Sequence, residues 1–134
     1  MRYYDKGGYL VVSKQRITSS KVSKKETEKF NKELDMATVF ANNGYRIQML
    51  PEVPRVSSPD VLIDGVTADL KKLSSHNNMV KHAKKATRQQ GANLVLFEIQ
   101  KESQKIYDAI KRLERENIKG KYFFSDRKDK VYEF

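Results

Sequence analysis

Asp64-Gly65 stands between two β-prone runs, Asp60-Val61-Leu62-Ile63 and Val66-Thr67-Ala68-Asp69-Leu70-Lys71. A two-residue type I′ turn needs positive φ at both central positions, which Asp and Gly tolerate, so the segment is a predicted β-hairpin. Counting outward from the turn, Ile63 faces Val66, Leu62 faces Thr67, Val61 faces Ala68 and Asp60 faces Asp69. Side chains alternate along a strand, so Asp60 and Asp69 project from one face with β-carbons roughly 4.5–5.5 Å apart, and Lys71 lies on that face too. Like charges placed opposite each other repel, and the pair asks for a compensating cation. A divalent ion bridged by both carboxylates, with the lysine ammonium beside it, meets that demand. The plainer alternative is that Asp60 opens a strand after a proline turn while Asp69 and Lys71 line a solvated face.

The trio also suits phosphodiester hydrolysis. A bound metal withdraws charge from a phosphoryl oxygen and lowers the pKa of a bound water. Lys71 can orient or deprotonate the attacking water, or stabilise the negative charge that develops. The chain has no cysteine and only two histidines, so any metal is held mainly by oxygen, as a hard cation is. Mg²⁺ is the first expectation, with Mn²⁺ or Zn²⁺ as alternatives. The absence of cysteine also excludes a disulfide framework and a thiolate zinc site.

With 27 Lys+Arg against 17 Asp+Glu the formal net charge is +10, which points to a polyanionic partner. The distribution matters more than the total. From Leu70 to Phe97 there is no acid, while Lys71, Lys72, Lys81, Lys84, Lys85 and Arg88 are all basic. Lys72, Lys81, Lys84, Lys85 and Arg88 are therefore candidate nucleic-acid contacts, the last four on a helix side away from Val80 and Ala83. An ordinary solvated helix face is the competing reading. Hydrophobic residues make up 38% and no uncharged run approaches ~18 residues, so no membrane-spanning helix is expected. The N-terminus, Met1-Arg2-Tyr3-Tyr4-Asp5-Lys6-Gly7, lacks the apolar stretch of a secretory signal, and the expected site of action is cytoplasmic.

The remaining elements follow from periodicity and punctuation. Gly8–Ser13 reads as an edge strand and Lys14–Val22 as a loop. Ser23-Lys24-Lys25-Glu26 is a capping box, opening a helix at Lys24 with Phe30, Leu34, Ala37, Phe40 and Ala41 at helical spacing. Asn43-Gly44 ends it. Arg46–Leu50 is a strand, and Pro51–Ser58 a loop. Asn77–Gln90 is a helix, Leu94–Phe97 a strand buried on both faces, and Ser103–Asn117 a helix. Lys121–Phe124 and Val131–Phe134 are two short closing strands. The expected fold is one α/β domain over residues 1–134, a mixed central sheet with flanking helices. Its α-β-β-β-α-β core spans about 24–99, followed by a C-terminal helix and two strands over 103–134.

Two further residues fall where chemistry uses them. Glu33 borders the apolar stripe of the first helix, and a carboxylate turned toward a core needs a partner. It is read as a further acidic ligand or water-positioning group, or else as a rim glutamate reaching water. Gln90, at the end of the second helix, offers an amide to a phosphate, a base or a metal-bound water, or else caps carbonyls. His76 and His82 are read as surface residues or neighbours of the site, with one histidine as a general base as the alternative.

Glu33 in a helix, Pro59-Asp60, and then Asp69-Leu70-Lys71 on an adjoining strand resemble the PD-(D/E)XK nuclease signature. The element order is similar to that restriction-endonuclease-like core. More narrowly, Glu33-Leu34-Asp35-Met36-Ala37, Asn43-Gly44-Tyr45, Leu50-Pro51, Pro59 to Gly65 and Ala86-Thr87-Arg88-Gln89-Gln90 look like the nuclease domain of contact-dependent growth-inhibition toxins. Related domains occur in phages and mobile elements. The resemblance implies a metal-dependent nuclease acting on RNA, tRNA in the closest toxin group, with DNA as the alternative. Asp60 and Asp69 would be metal ligands and Lys71 the catalytic lysine, with Glu33 matching the helical acid and Gln90 the helix glutamine. Asp69 stands where the toxin group more often has glutamate. Together with the positive charge, the resemblance implies an acidic immunity protein as partner. No delivery region is apparent, as expected of a free-standing or excised domain. Two rivals are a metal-independent ribonuclease using His82 with Lys or Arg, and a non-catalytic nucleic-acid-binding or phage structural module.

Overall fold

The computed structural model describes residues 1–52 and 57–134. Its elements in order are β1 (Arg2–Tyr3), β2 (Tyr9–Val12), α1 (Lys14–Ser20), α2 (Lys24–Asn42), β3 (Arg46–Met49), β4 (Val61–Ile63) and β5 (Val66–Leu73). Then come α3 (Met79–Arg88), β6 (Leu94–Ile99), α4 (Gln104–Arg115), β7 (Gly120–Phe124) and β8 (Arg127–Glu133). The expected α-β-β-β-α-β order is present as α2-β3-β4-β5-α3-β6. The middle of the expected Pro51–Ser58 loop lies outside the described residues.

All eight strands join one sheet in sequence order. Pairs β2·β3, β5·β6 and β6·β7 are parallel and the others antiparallel. Helical connections supply the crossovers that parallel neighbours need. Two apolar layers result. On one face α2 packs through Met36, Ala37, Phe40 and Ala41 against Ile47, Met49, Val61, Ile63, Leu70 and Phe123. On the other, Met79, Ala83 and Ala86 of α3 and Ile106, Ile110 and Leu113 of α4 cover Leu73, Val95, Phe97 and Phe124. The sheet curls around α2, whose cap residue Asn43 donates from Nδ2 to the Lys128 carbonyl of β8 at 2.9 Å.

Local chemistry explains most boundaries. Ser23 accepts from the Glu26 amide at 3.1 Å and Ser103 from the Ile106 amide at 3.3 Å, capping α2 and α4. Asp64 and Gly65 both have positive φ, 47° and 84°, as the type I′ turn requires, and the register Ile63↔Val66, Leu62↔Thr67, Val61↔Ala68 is the one counted from sequence.

Three expectations need correction. Lys14–Val22 is not a loop: Ser13 accepts from the Arg16 amide and starts α1. Its inward positions are Arg16 and Ser20 rather than apolar residues, so no hydrophobic period marks it. The Gly8–Ser13 strand is not at the edge, because β1 pairs outside it. Third, the α3 cations do not lie away from Val80: it packs partly against the core beside Met79, Ala83 and Ala86 and also lines the groove with Lys81, Lys84, Lys85 and Arg88.

Gly8 sits where β2 touches the end of α2. A β-carbon there would lie 1.9 Å from the Ala41 carbonyl oxygen, and overpacking against backbone costs about 1–3 kcal/mol or more. Gly8→Ala is expected to lower the urea midpoint by an amount equivalent to at least about 2 kcal/mol, and an unchanged midpoint would contradict this close approach.

Candidate active site

Asp69 is the odd residue in the middle of the sheet. It lies on β5, between β4 and β6, and is 1% exposed. Ala68 and Leu70 belong to the α2-side layer and Leu73 to the α3–α4 layer, so strand alternation turns Asp69 and Lys71 toward α3. Neither carboxylate oxygen of Asp69 has a hydrogen-bond partner among the described residues. A buried carboxylate left so is costly in the charged form.

Asp60 lies just before the start of β4. The strict count pairs it with Asp69, but the ladder ends at Val61↔Ala68, and the Asp60 amide donates to the Ala68 carbonyl at 3.1 Å. Its side chain turns along the sheet, where Oδ2 accepts from the Leu70 amide at 2.8 Å. The two aspartates nonetheless feel each other. Burial pushes the Asp60 carboxyl up to about 6 and the Asp69 charge adds to this, against the Leu70 amide, Lys29 and Lys71. Burial likewise pushes Asp69 up to about 6. The nearby Asp60 amide opposes the rise without reaching hydrogen-bond geometry, since it is committed to Ala68, and Lys71 opposes it as well.

Glu33 comes from α2 and is buried, as its place beside the apolar stripe suggested. Burial raises its pKa first and the Asp60 charge second. Its partner is Arg16 of α1, whose Nη2 lies 2.7 Å from Oε2 and 3.6 Å from Glu52 Oε1. Arg16 itself is 1% exposed, with Nη1 unpartnered among the described residues. Lys29 joins the group through Glu52 at 2.8 Å. Arg16 escaped the sequence reading; the Ser13-x-x-Arg16 cap spacing and the Arg16/Ser20 one-turn repeat were the available signals.

His82 of α3 stands near Lys71, and burial followed by the charges of Lys71, Lys81 and Lys85 lowers its pKa, which keeps it neutral at pH 7. Gln90, one residue past the α3 cap, holds a buried Oε1 with no partner among the described residues. Lys72 points to the face opposite Lys71 and pairs with Glu98 at 3.6 Å. Lys81, Lys84, Lys85 and Arg88 line the outer side of α3.

The donor set can be weighed for a metal. Among the described residues, no three His, Cys, Asp or Glu side chains converge to hold an ion by protein ligands alone. Two carboxylates, one with both oxygens buried and unpartnered, match what Mg²⁺ takes when waters and substrate phosphates complete its shell. The residues fit such an ion.

Among families, the model described as the contact-dependent growth inhibition CdiA C-terminal domain matches residues 57–129, more than half of the chain. Among solved structures, the CdiA-CT/CdiI toxin and immunity complex from Burkholderia pseudomallei is similar to this chain at 19% identity and a TM-score of 0.60. The match covers 85% of this chain and 89% of that one, a likeness of fold. No curated protein matches.

A carboxyl whose pKa is raised in the folded state binds its proton more tightly there, so it costs stability as pH rises through about 6. Asp69→Asn removes that penalty. Unfolded with urea in EDTA, it is expected to be more stable than wild type at pH 7.5, on the order of 2 kcal/mol, with the gap closing by pH 4. Equal stability at pH 7.5 would contradict the dry carboxylate pair. Arg16→Met strands the buried Glu33 and should destabilise at pH 7.5 by about 3 kcal/mol, most of it recovered in Arg16→Met/Glu33→Gln. No recovery would mean that Arg16 acts through packing alone.

Proposed function

Since the chain belongs to the contact-dependent growth inhibition CdiA C-terminal domain family, we propose that it is a toxic nuclease of the PD-(D/E)XK type, hydrolysing phosphodiester bonds of RNA, with tRNA as the substrate. The observation that carries this reading is Asp69: a carboxylate on a central strand, buried, with both oxygens unpartnered and with Asp60 and Lys71 beside it. A purely structural aspartate in such a place would be expected to have donors, because buried polar groups are almost always paired.

In this proposal Asp60 and Asp69 hold a divalent cation, Mg²⁺ first. When bound, such an ion supplies Lewis-acid stabilisation of the phosphoryl oxygens and a more acidic water. Lys71 contributes an ammonium at the site, where it orients the attacking water and offsets charge gathering on the phosphate. Glu33, held by Arg16 at 2.7 Å, keeps an acidic oxygen near Asp60 for water positioning or as a further ligand. Gln90 offers an unpartnered buried carbonyl oxygen to a water or an amino group. The remaining acids of the group are paired, Glu52 with Lys29, which leaves the aspartate pair as the place for a cation.

A toxin of this kind needs restraint in the cell that makes it. The Burkholderia pseudomallei structure is a complex of toxin and immunity protein. The +10 charge of this chain makes an acidic immunity protein the fitting partner. No helix among the described residues is long and apolar enough to cross a membrane.

One observation favours a second reading. His82 is held neutral next to Lys71, as a metal-independent general base would need to be. The two readings separate cleanly. Total tRNA, rRNA and plasmid DNA are incubated with protein in Mg²⁺ or in EDTA. Cleavage of tRNA in Mg²⁺, abolished by EDTA and reduced at least about 10³-fold by Asp69→Asn, is expected. Cleavage that persists in EDTA and fails in His82→Ala would instead favour the second reading. Asp69→Asn should retain the wild-type circular dichroism spectrum.

A further inference from the structure

The molecule carries a second charged feature that the carboxylate site does not use. Between α3 and α4 runs a groove of about 840 Å³, beginning at His76 and Asn77 and reaching Arg88 and Arg115. Lys81, Lys85 and Arg88 of α3 line one wall, and Lys105, Arg112 and Arg115 of α4 the other. Val80 and Ala109 give it an apolar floor. The sequence pattern alone indicated only the α3 wall. The α4 wall arises because Ile106, Ile110 and Leu113 bury the opposite side of that helix, which leaves positions 105, 112 and 115 facing outward beside α3.

Charge within the groove is poorly compensated. Glu116 pairs with Lys84 at 2.8 Å and with Arg112 at 3.3 Å, and Asp108 is the acid on the lining. Lys81, Lys85, Arg88, Lys105 and Arg115 have no ion-pair partner among the described residues. Five uncompensated cations on two facing helices repel one another, and an occupant of matching negative charge relieves that repulsion.

The spacing of charge selects among anions. Cations at 81, 85 and 88 recur at one-turn intervals along α3, roughly 5–6 Å apart. That is comparable to the step between successive phosphates of an extended strand. The second row on α4 faces them across the groove, and its Arg112 and Arg115 guanidinium groups suit phosphate oxygens. We propose that the α3–α4 groove is a phosphate-backbone channel that holds a strand of nucleic acid apart from the carboxylate pair. This rests on the nuclease reading and deepens it: α3 packs on the sheet near that pair through one side and builds the groove with the other. The substrate class it fits is a polynucleotide long enough to span α3, in preference to a dinucleotide or a free nucleotide.

The test is direct binding, read without turnover. A fluorescein-labelled tRNA is titrated with the full chain in EDTA, with anisotropy recorded at several salt concentrations. Variants remove two charges from either wall: Lys105→Gln/Arg115→Gln on α4 and Lys81→Gln/Lys85→Gln on α3. All four side chains are exposed, and circular dichroism melts check that each variant is folded. Each pair is expected to weaken binding at least about fivefold at 150 mM salt and to lower the slope of log K against log salt by about 1.4–1.8. Unchanged affinity and slope in both variants overturns the channel. Polyglutamate serves as a polyanion without phosphate. If it displaces tRNA at equal charge concentration, and its own binding falls equally in both variants, the groove is a docking site for an acidic protein and the assignment is overturned. Because binding is read in EDTA, a protein that binds through the groove yet cleaves nothing in Mg²⁺ would refute the nuclease reading alone. One that cleaves with unaltered variant affinities would refute the channel alone.

Discussion

An ionised carboxylate kept dry in a β-sheet with nothing to answer it is among the more expensive placements a protein can make, and this fold is built around one. Asp69 is buried because β5 has strands on both sides and α3 over its face. It is unanswered because the nearby amides are engaged elsewhere, that of Leu70 by Asp60 Oδ2 and that of Asp60 by the Ala68 carbonyl. Burial pushes both carboxyls up to about 6, and the Asp69 charge adds to the rise at Asp60. The arrangement withholds neutralisation from protein groups and leaves it to protons or an added cation. Lys71 alone does not cancel the effect, since both aspartates remain raised with it in place.

The sheet gives this site its shape by distributing helices unequally. On the α2 side the layer is apolar and closed, with Phe40 and Phe123 rings in edge contact at 5.3 Å. There Glu33, held by Arg16 at 2.7 Å, brings a buried carboxylate toward the site. On the other side α3 has two roles. Its small inward residues Ala83 and Ala86 let it approach β5 and β6 closely, while its outward residues are basic. One short helix thus both covers the carboxylates and supplies a wall of the groove.

What the sequence disclosed, and what it hid, follows from the kind of signal involved. The Asp64-Gly65 turn was legible because its backbone requirement is local: two positive φ values fix the register, and the register carries Asp60, Asp69 and Lys71 together. Capped helices with apolar stripes, α2 and α4, were legible for the same reason. Helix α1 was not. Its inward side chains are Arg16 and Ser20, and a helix that buries a charge leaves no hydrophobic period. Glu33 could be seen to need a partner, but which of 27 basic residues it would find is a tertiary fact, set 17 positions upstream by the meeting of α1 and α2. The second wall of the groove was hidden in the same way. Lys105, Arg112 and Arg115 look like ordinary exposed positions of an amphipathic helix until α3 is laid beside them. The counted register holds, but the ladder stops at Val61↔Ala68, and beyond it the Asp60 side chain takes the Leu70 amide, a competitor that strand counting does not include.

The two charged regions also depend on each other in a way that neither shows alone. A polyanion approaching the molecule meets a net positive field, but at the aspartate pair above pH 6 it meets negative charge. Screening reduces surface attraction over about 8 Å at physiological salt, so in the proposed channel the cations along the outer side of α3 would draw a strand to the molecule without cancelling the local repulsion at Asp60 and Asp69. Only a charge seated at the pair does that. On the proposed nuclease reading the groove would supply affinity, and the carboxylates would be the reason that affinity by itself is insufficient for reaction. Bound polyanion and bound divalent cation should favour each other's binding, because each reduces the electrostatic work of placing the other. On the proposed reading, a domain built on this division binds nucleic acid in the absence of metal and acts on it only once the cation is present.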